Sequence, residues 1–223
     1  MPGVRFWRYG LAALALLLAL PAAAAATRGT LQELLLAPGF MAAVSKPAVF
    51  RYRFRLEEAG VADPYVSEAR MEVREVRADG SKLVWFDMFE GANHRAFGPM
   101  RITDQNPILF VFLQRDVTTM ANLTGGAAGY FQQQIRASFT RPAEVEPLRV
   151  TWRGRELQAE RVRLHPFRND PRIDRFPQFR DKAYEVVVAP GVPGGIYSIT
   201  MRVPNPRGGE ALLEESLTLE SVE

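Results

Sequence analysis

The chain has 223 residues, 47% of them hydrophobic and 24% charged, with a formal charge of +3 and no cysteine. This composition suits a globular protein held by its core, and it excludes disulfides, thiol chemistry and a lipid attached through a lipobox cysteine. Two arginines, Arg5 and Arg8, fall in the first 26 residues; without that segment the charge drops to +1, so the sequence pI of 9.4 makes no case for nucleic-acid binding.

Residues 1–26 have a basic start, an apolar run over 11–20 and an alanine-rich end. That order is expected of a secretory signal peptide cleaved near Ala26, leaving a soluble periplasmic chain that starts near Thr27. Residues 27–47 are read as an N-terminal helix and linker. Thr30 and Glu33 have capping-box spacing there, with Leu31, Leu34 and Leu35 as an apolar stripe. Residues 48–223 are read as a single domain.

Phe50, Tyr52, Phe54 and Leu56 alternate with Arg51, Arg53 and Arg55, which predicts a strand with one face buried. Residues 65–76 alternate in the same way, and Asp79-Gly80 signals a hairpin turn into a strand at 83–86. The charges of the first two strands are placed to pair across the sheet. Phe50, Phe54, Trp85 and Phe89 are expected to pack on helices. Residues 106–139 then change period. Asn106 and Pro107 suit a helix start; Leu109, Leu113, Val117 and Met120 recur at helical spacing, and Gly125 suits a left-handed C-cap. Phe131, Ile135 and Phe139 make a second stripe. A helical hairpin is expected, with residues 108–113, apolar on every side, buried all round.

Pro142 and Pro147 read as a linker, followed by a hairpin over 150–164 and a long irregular segment over 166–182. Strands at 184–188, 196–203 and 212–219 complete a count of about eight. The pattern predicts an α+β fold: a curved, mostly antiparallel, half-barrel-like sheet, a helical hairpin inserted on one face and a short N-terminal helix.

Chemistry is harder to find. His94 and His165 are far apart, Ser138 and Ser198 lie in no nucleophile motif, and the His, Asp and Glu spacings fit neither zinc nor calcium. Asp87 with Glu90, or Asp104 with Asp116, could serve as a carboxylate pair in glycoside hydrolysis, but each has a structural explanation. The glycines at 125, 126 and 129 fit a helix–helix turn better than an anion cradle. No catalytic residue, metal or cofactor is assigned, and the chain is expected not to be an enzyme. The basic segment with Arg168, Arg172, Arg175, Arg180 and Lys182 could meet anionic head groups, or be an ordered loop pinned by Phe167, Phe176 and Phe179 whose charges pair with Asp170, Asp174 and Asp181.

The helix at residues 30–36, the strand at 50–56, the insert at 106–139 and the last strand at 214–219 together resemble exported bacterial lipoprotein-carrier folds of the LolA/LolB type, or a related periplasmic family. That resemblance implies an apolar cavity that shields a lipid or acyl chain. Expected contacts are Ile108, Phe112 and Phe131, with Arg172 and Arg175 at a peripheral membrane or head-group edge. The alternative is a structural or assembly protein that acts through an envelope protein partner.

Overall fold

A computed structural model describes residues 26–36 and 38–223. The leader therefore lies outside the described residues, apart from Ala26.

Ten antiparallel strands form one curved open sheet, made of two meanders joined by a single pairing. The first meander is β2 (Ala48–Glu58), β3 (Tyr65–Val76), β4 (Lys82–Met88) and β5 (Arg95–Ile102). The second is β6 (Pro142–Trp152), β7 (Arg155–Leu164), β8 (Ala183–Val188), β9 (Ile196–Val203) and β10 (Leu213–Val222). The last strand returns to pair with β2, with Leu217 opposite Phe54, and β1 (Ala26–Thr30) adds outside β6. Spatial order is thus β1-β6-β7-β8-β9-β10-β2-β3-β4-β5. Since β5 is one edge and β6 is next to the other, the chain between them must cross a whole face of the sheet. That crossing is the helical hairpin, α2 (Ile108–Thr124) and α3 (Ala128–Ser138).

Alternation decides which residues the hairpin covers. Phe50, Tyr52 and Phe54 of β2, Ala69, Met71 and Val73 of β3, and Leu217 and Leu219 of β10 are buried on the covered face. The opposite face carries a ladder of ion pairs, such as Arg51–Glu68 at 3.1 Å, and Arg163 bridging Glu146 and Glu185 at 2.9 and 3.0 Å. Exposed pairs of this kind contribute only ~0.2–1 kcal/mol each, so burial on the other face stabilises the sheet and the charges set its register. Trp85 belongs to this outer face, beneath the Arg74 guanidinium 4.8 Å from its ring centroid. The inward residues of β4 are Val84 and Phe86, which corrects the expectation that Trp85 packs on helices.

Two strands, β1 and β5, exceed the sequence reading, β1 taking the start of the stretch read as helix and linker, and β6 extends well before the strand expected at residues 150–152. The expected linker is β6, with Pro142 and Pro147 inside it. Among the described residues its pairing with β1 ends at Val145, so Pro147 lies on an unpaired side of the strand, where a missing N–H is tolerated. Strand β5 escapes because its side chains are mostly exposed and Gly98-Pro99 interrupts the alternation. Gly98 has φ 136°, and a Cβ there would lie 2.8 Å from the Trp85 ring, so no larger residue fits without a shift.

The helix ends follow the local chemistry. The capping box of α1 (Leu31–Leu35) is formed, with Thr30 N–H donating to Glu33 at 2.7 Å. At the start of α2, Asn106 Oδ1 accepts from the Ile108 N–H at 3.1 Å while its Nδ2 donates to the Gly194 carbonyl at 2.9 Å, which ties the helix to the β8–β9 turn. Gly125 ends α2 with φ 72°.

Candidate ligand-binding site

The helical hairpin covers the two halves of the sheet differently. Over β2–β5 it stands away from the strands and leaves a cavity of ≈ 1070 Å³. The helix wall is Phe110, Val111, Leu113 and Val117 of α2 with Ile135 of α3 and Phe139 just after it. The sheet wall is Leu56, Tyr65, Met88, Phe89, Phe97 and Met100, and Leu36 closes the side nearest α1. Volumes of ~300–1,000 Å³ with mostly apolar walls and a few polar groups are usual for small-molecule sites. Phe97 and Phe110, each 41% exposed, and Tyr65 are among the few large apolar side chains left open in the described residues, and all three line this cavity. Solvent-facing aromatics concentrated in one concavity are unlike the scattered exposed apolar residues of an ordinary surface.

Local packing keeps the walls in place. Phe97 stacks on Phe86 with centroids 4.9 Å apart, and Phe89 meets Phe54 edge-on at 4.7 Å. The Arg115 guanidinium lies over both Phe54 and Phe89, 4.8 and 5.2 Å from the ring centroids, and pairs with the buried Glu215 carboxylate of β10. Behind Arg115 is a buried charged network. Asp116 accepts from Lys182 Nζ at 2.7 Å and from the Tyr184 hydroxyl, and all three residues are 1% exposed or less. Burial pushes the Lys182 ammonium down while Asp116 pushes it up; burial also pushes the Tyr184 hydroxyl and the Glu215 carboxyl up. The network fixes α2 to β8 and β10. It is sealed from the cavity and offers no open position for a reacting group.

Over the second half, residues 166–182 fill the space. Two short 3₁₀ turns, Pro171–Arg175 and Pro177–Phe179, place Phe167, Ile173 and Phe179 in the core. Phe167, Phe176 and Phe179 surround Phe131 with centroids 5.2–5.7 Å away. The charges pair locally: Arg172 holds Asp170 at 3.0 Å and lies over the Tyr130 ring, and Arg180 pairs with Asp174. Burial, and then the Asp170 charge, push the Tyr130 hydroxyl up to about 12. This is the pinned, paired loop rather than a basic lip, except that Arg168 pairs outside the segment with His165 and Glu144, and Lys182 turns inward to Asp116 and not to Asp181.

The structure does not bring the five expected contact residues together at the cavity. Ile108, Phe112 and Phe131 are core residues, Arg172 and Arg175 lie on the 166–182 loop, and the cavity lining includes none of the five. Residues 108–113 are not buried all round, because Phe110 is open to the cavity. The apolar stripe misleads because the core face of α2 extends to one side of it, over Ile108, Phe112 and Asp116, while Phe110, Gln114 and Thr118 on the other side form the cavity wall. Asp87, considered for catalysis, is paired with Arg70 and with His94 at 2.6 Å, and Asp116 is held by Lys182. Among the described residues no group of His, Asp and Glu could hold a metal ion, and no helix is long and apolar enough to cross a membrane.

No family model matches the chain, and no curated protein is significantly similar in sequence. Among solved structures it is similar to a LolA superfamily protein from Nitrosomonas europaea, at 10% identity and TM-score 0.23, covering 88% of this chain and 94% of that one. It is also similar to a domain assigned to outer membrane lipoprotein sorting from Vibrio parahaemolyticus, at 10% identity and TM-score 0.22, covering 80% and 85%. A DUF1329 family protein from Desulfovibrio piger matches at 9% identity and TM-score 0.21, with the same coverage. At these scores the likeness is one of coarse fold and says nothing about what this chain binds.

Proposed function

We propose that the chain is a non-enzymatic, exported carrier that shelters an apolar envelope ligand, such as a lipid or acyl chain, between its helical hairpin and strands β2–β5. The observation that carries this reading is the ≈ 1070 Å³ cavity with apolar walls and open aromatics on both sides. A folded domain gains from filling such a space, and residues 166–182 do fill the neighbouring one. Leaving this one open is a cost that a ligand offsets. The leader-like residues 1–26 support export.

Nile red, an uncharged apolar dye, should bind the purified protein saturably with a blue-shifted emission. Thr118→Trp should abolish that binding while the melting temperature stays close to wild type, because Thr118 is an exposed helix residue at the cavity wall. Wild type that does not bind the dye would end the carrier reading. Export is tested separately, by fractionation: recovery from the periplasm with an N-terminus near Thr27 supports it.

A second reading rests on β5. It is an edge of the sheet, eight residues long and largely exposed, so a partner strand could add to it. Cross-linking in the envelope from an introduced Ala96→Cys, at the start of β5, tests this assembly role.

A further inference from the structure

The polar groups of the cavity are as one-sided as its apolar ones. Among the described residues its lining contains arginines but no Asp or Glu. Arg115 is already engaged by Glu215, and Arg95 donates to the adjacent His94 carbonyl at 2.7 Å. Arg136 is different. It is exposed on α3 and lines the cavity, and its guanidinium has no hydrogen-bond or ion-pair partner among the described residues.

Its neighbours form a strip of uncharged hydrogen-bonding groups. Gln132 is one helical turn back and so lies next to Arg136 on the same face of α3, and Thr140 follows just beyond the end of the helix. Gln132 Nε2 donates to Gln114 Oε1 at 3.4 Å, and Gln32 joins the other end, where its N–H donates to the Phe139 carbonyl at 2.9 Å. All of these residues line the cavity. The strip therefore offers one guanidinium, several side-chain amide donors, and no competing carboxylate, directly beside an apolar volume. A planar fork of donors of this kind matches the oxygens of a carboxylate or phosphate.

We infer that the ligand is an anionic amphiphile, with its oxyanion head group on Arg136 and its hydrocarbon tail in the cavity. This rests on the carrier reading above and specifies its ligand class.

The test uses the full chain and a matched pair of probes, 11-(dansylamino)undecanoic acid and its methyl ester, which share a tail and differ in charge. Wild type should bind the acid about ten-fold or more tightly than the ester, the scale of one charge-assisted hydrogen bond in affinity. Arg136→Gln should bring the acid to the affinity of the ester, and Arg136→Lys should recover part of the preference. Arg136 also lies in the last turn of α3, where its charge favours the helix dipole. Thermal melts of each variant separate a loss of fold from a loss of head-group recognition. Equal affinity of wild type for acid and ester overturns the anionic assignment while the carrier reading stands. Binding of neither probe, with no Nile red binding, overturns both. A preference kept by Arg136→Gln overturns the placement. Displacement of the probe by laurate, by lauroyl lysophosphatidic acid, or by both supports the inference and identifies the head group as carboxylate or phosphate; displacement by neither overturns it.

Discussion

The two halves of this sheet have the same lid, yet one half is filled and the other open. Over the second meander, residues 166–182 insert Phe167, Phe176 and Phe179 around Phe131, and Asp116–Lys182–Tyr184 fixes α2 to the strands below. Over the first meander no segment of the described residues takes that place, and Phe97 and Phe110 are open to a cavity. Both halves carry aromatic and aliphatic side chains beneath the hairpin. What differs is whether a loop reaches in, so the void is a property of topology rather than of a shortage of apolar side chains.

The largest test of this contrast is on the anchored side. Lys182→Met removes the cation from a buried carboxylate, and breaking a buried pair in this way costs ~3–5 kcal/mol. That is a large part of the ~5–15 kcal/mol that stabilises a typical domain. Adding Asp116→Asn should recover most of the loss, because the amide still accepts from Tyr184 and no charge is left buried. Urea unfolding of the single and double variants measures this. A single variant as stable as wild type would mean that Lys182 does not anchor the helix.

A smaller pair of substitutions compares the halves directly. Phe131→Ala empties a fully buried, ring-lined site and should cost ~3–5 kcal/mol. Phe110→Ala removes a ring of similar size from the open wall and should cost under ~1 kcal/mol, since little of its packing is lost. Phe110→Ala should, however, weaken Nile red binding. Equal destabilisation by the two would mean that the cavity wall is as load-carrying as the filled core.

How much of this the sequence discloses depends on the range of the physics involved. Strict alternation set β2 and β3, and cap residues set the start and end of α2, because each rule operates within a few residues. The burial of Asp116 and Glu215 was also readable. Asp116 is three residues after Leu113 and four before Met120, and Glu215 alternates in phase with Leu217 and Leu219, so a partner was required for each. The open half was not readable. Whether Phe110 or Phe112 faces the void depends on which meander the 166–182 loop covers, and that is decided by pairings between residues a hundred or more positions apart, such as Leu217 with Phe54.

The smallest expected effect is a pH dependence on the filled side. His165 follows β7 and is half-buried, with Arg168, Arg163, Glu144 and Asp181 around it. Burial, and then the charge of Arg168, hold its pKa below the ordinary 6.5; the Glu144 and Asp181 carboxylates oppose this without cancelling it. The sign follows from proton counting. Below pH 6.5 the unfolded chain takes up a proton at His165 that the folded chain resists, so the unfolded state binds more protons and stability rises with pH. The contribution is therefore present above 6.5 and is lost as pH falls through the lowered folded value. His165→Gln should flatten the stability profile on the acid side of 6.5 and leave the alkaline side unchanged. Denaturant unfolding of wild type and His165→Gln at about pH 7.5 and about pH 5.5 measures the difference in slope. Identical slopes would mean that His165 titrates alike in both states, and that the loop beside it does not keep water from the ring.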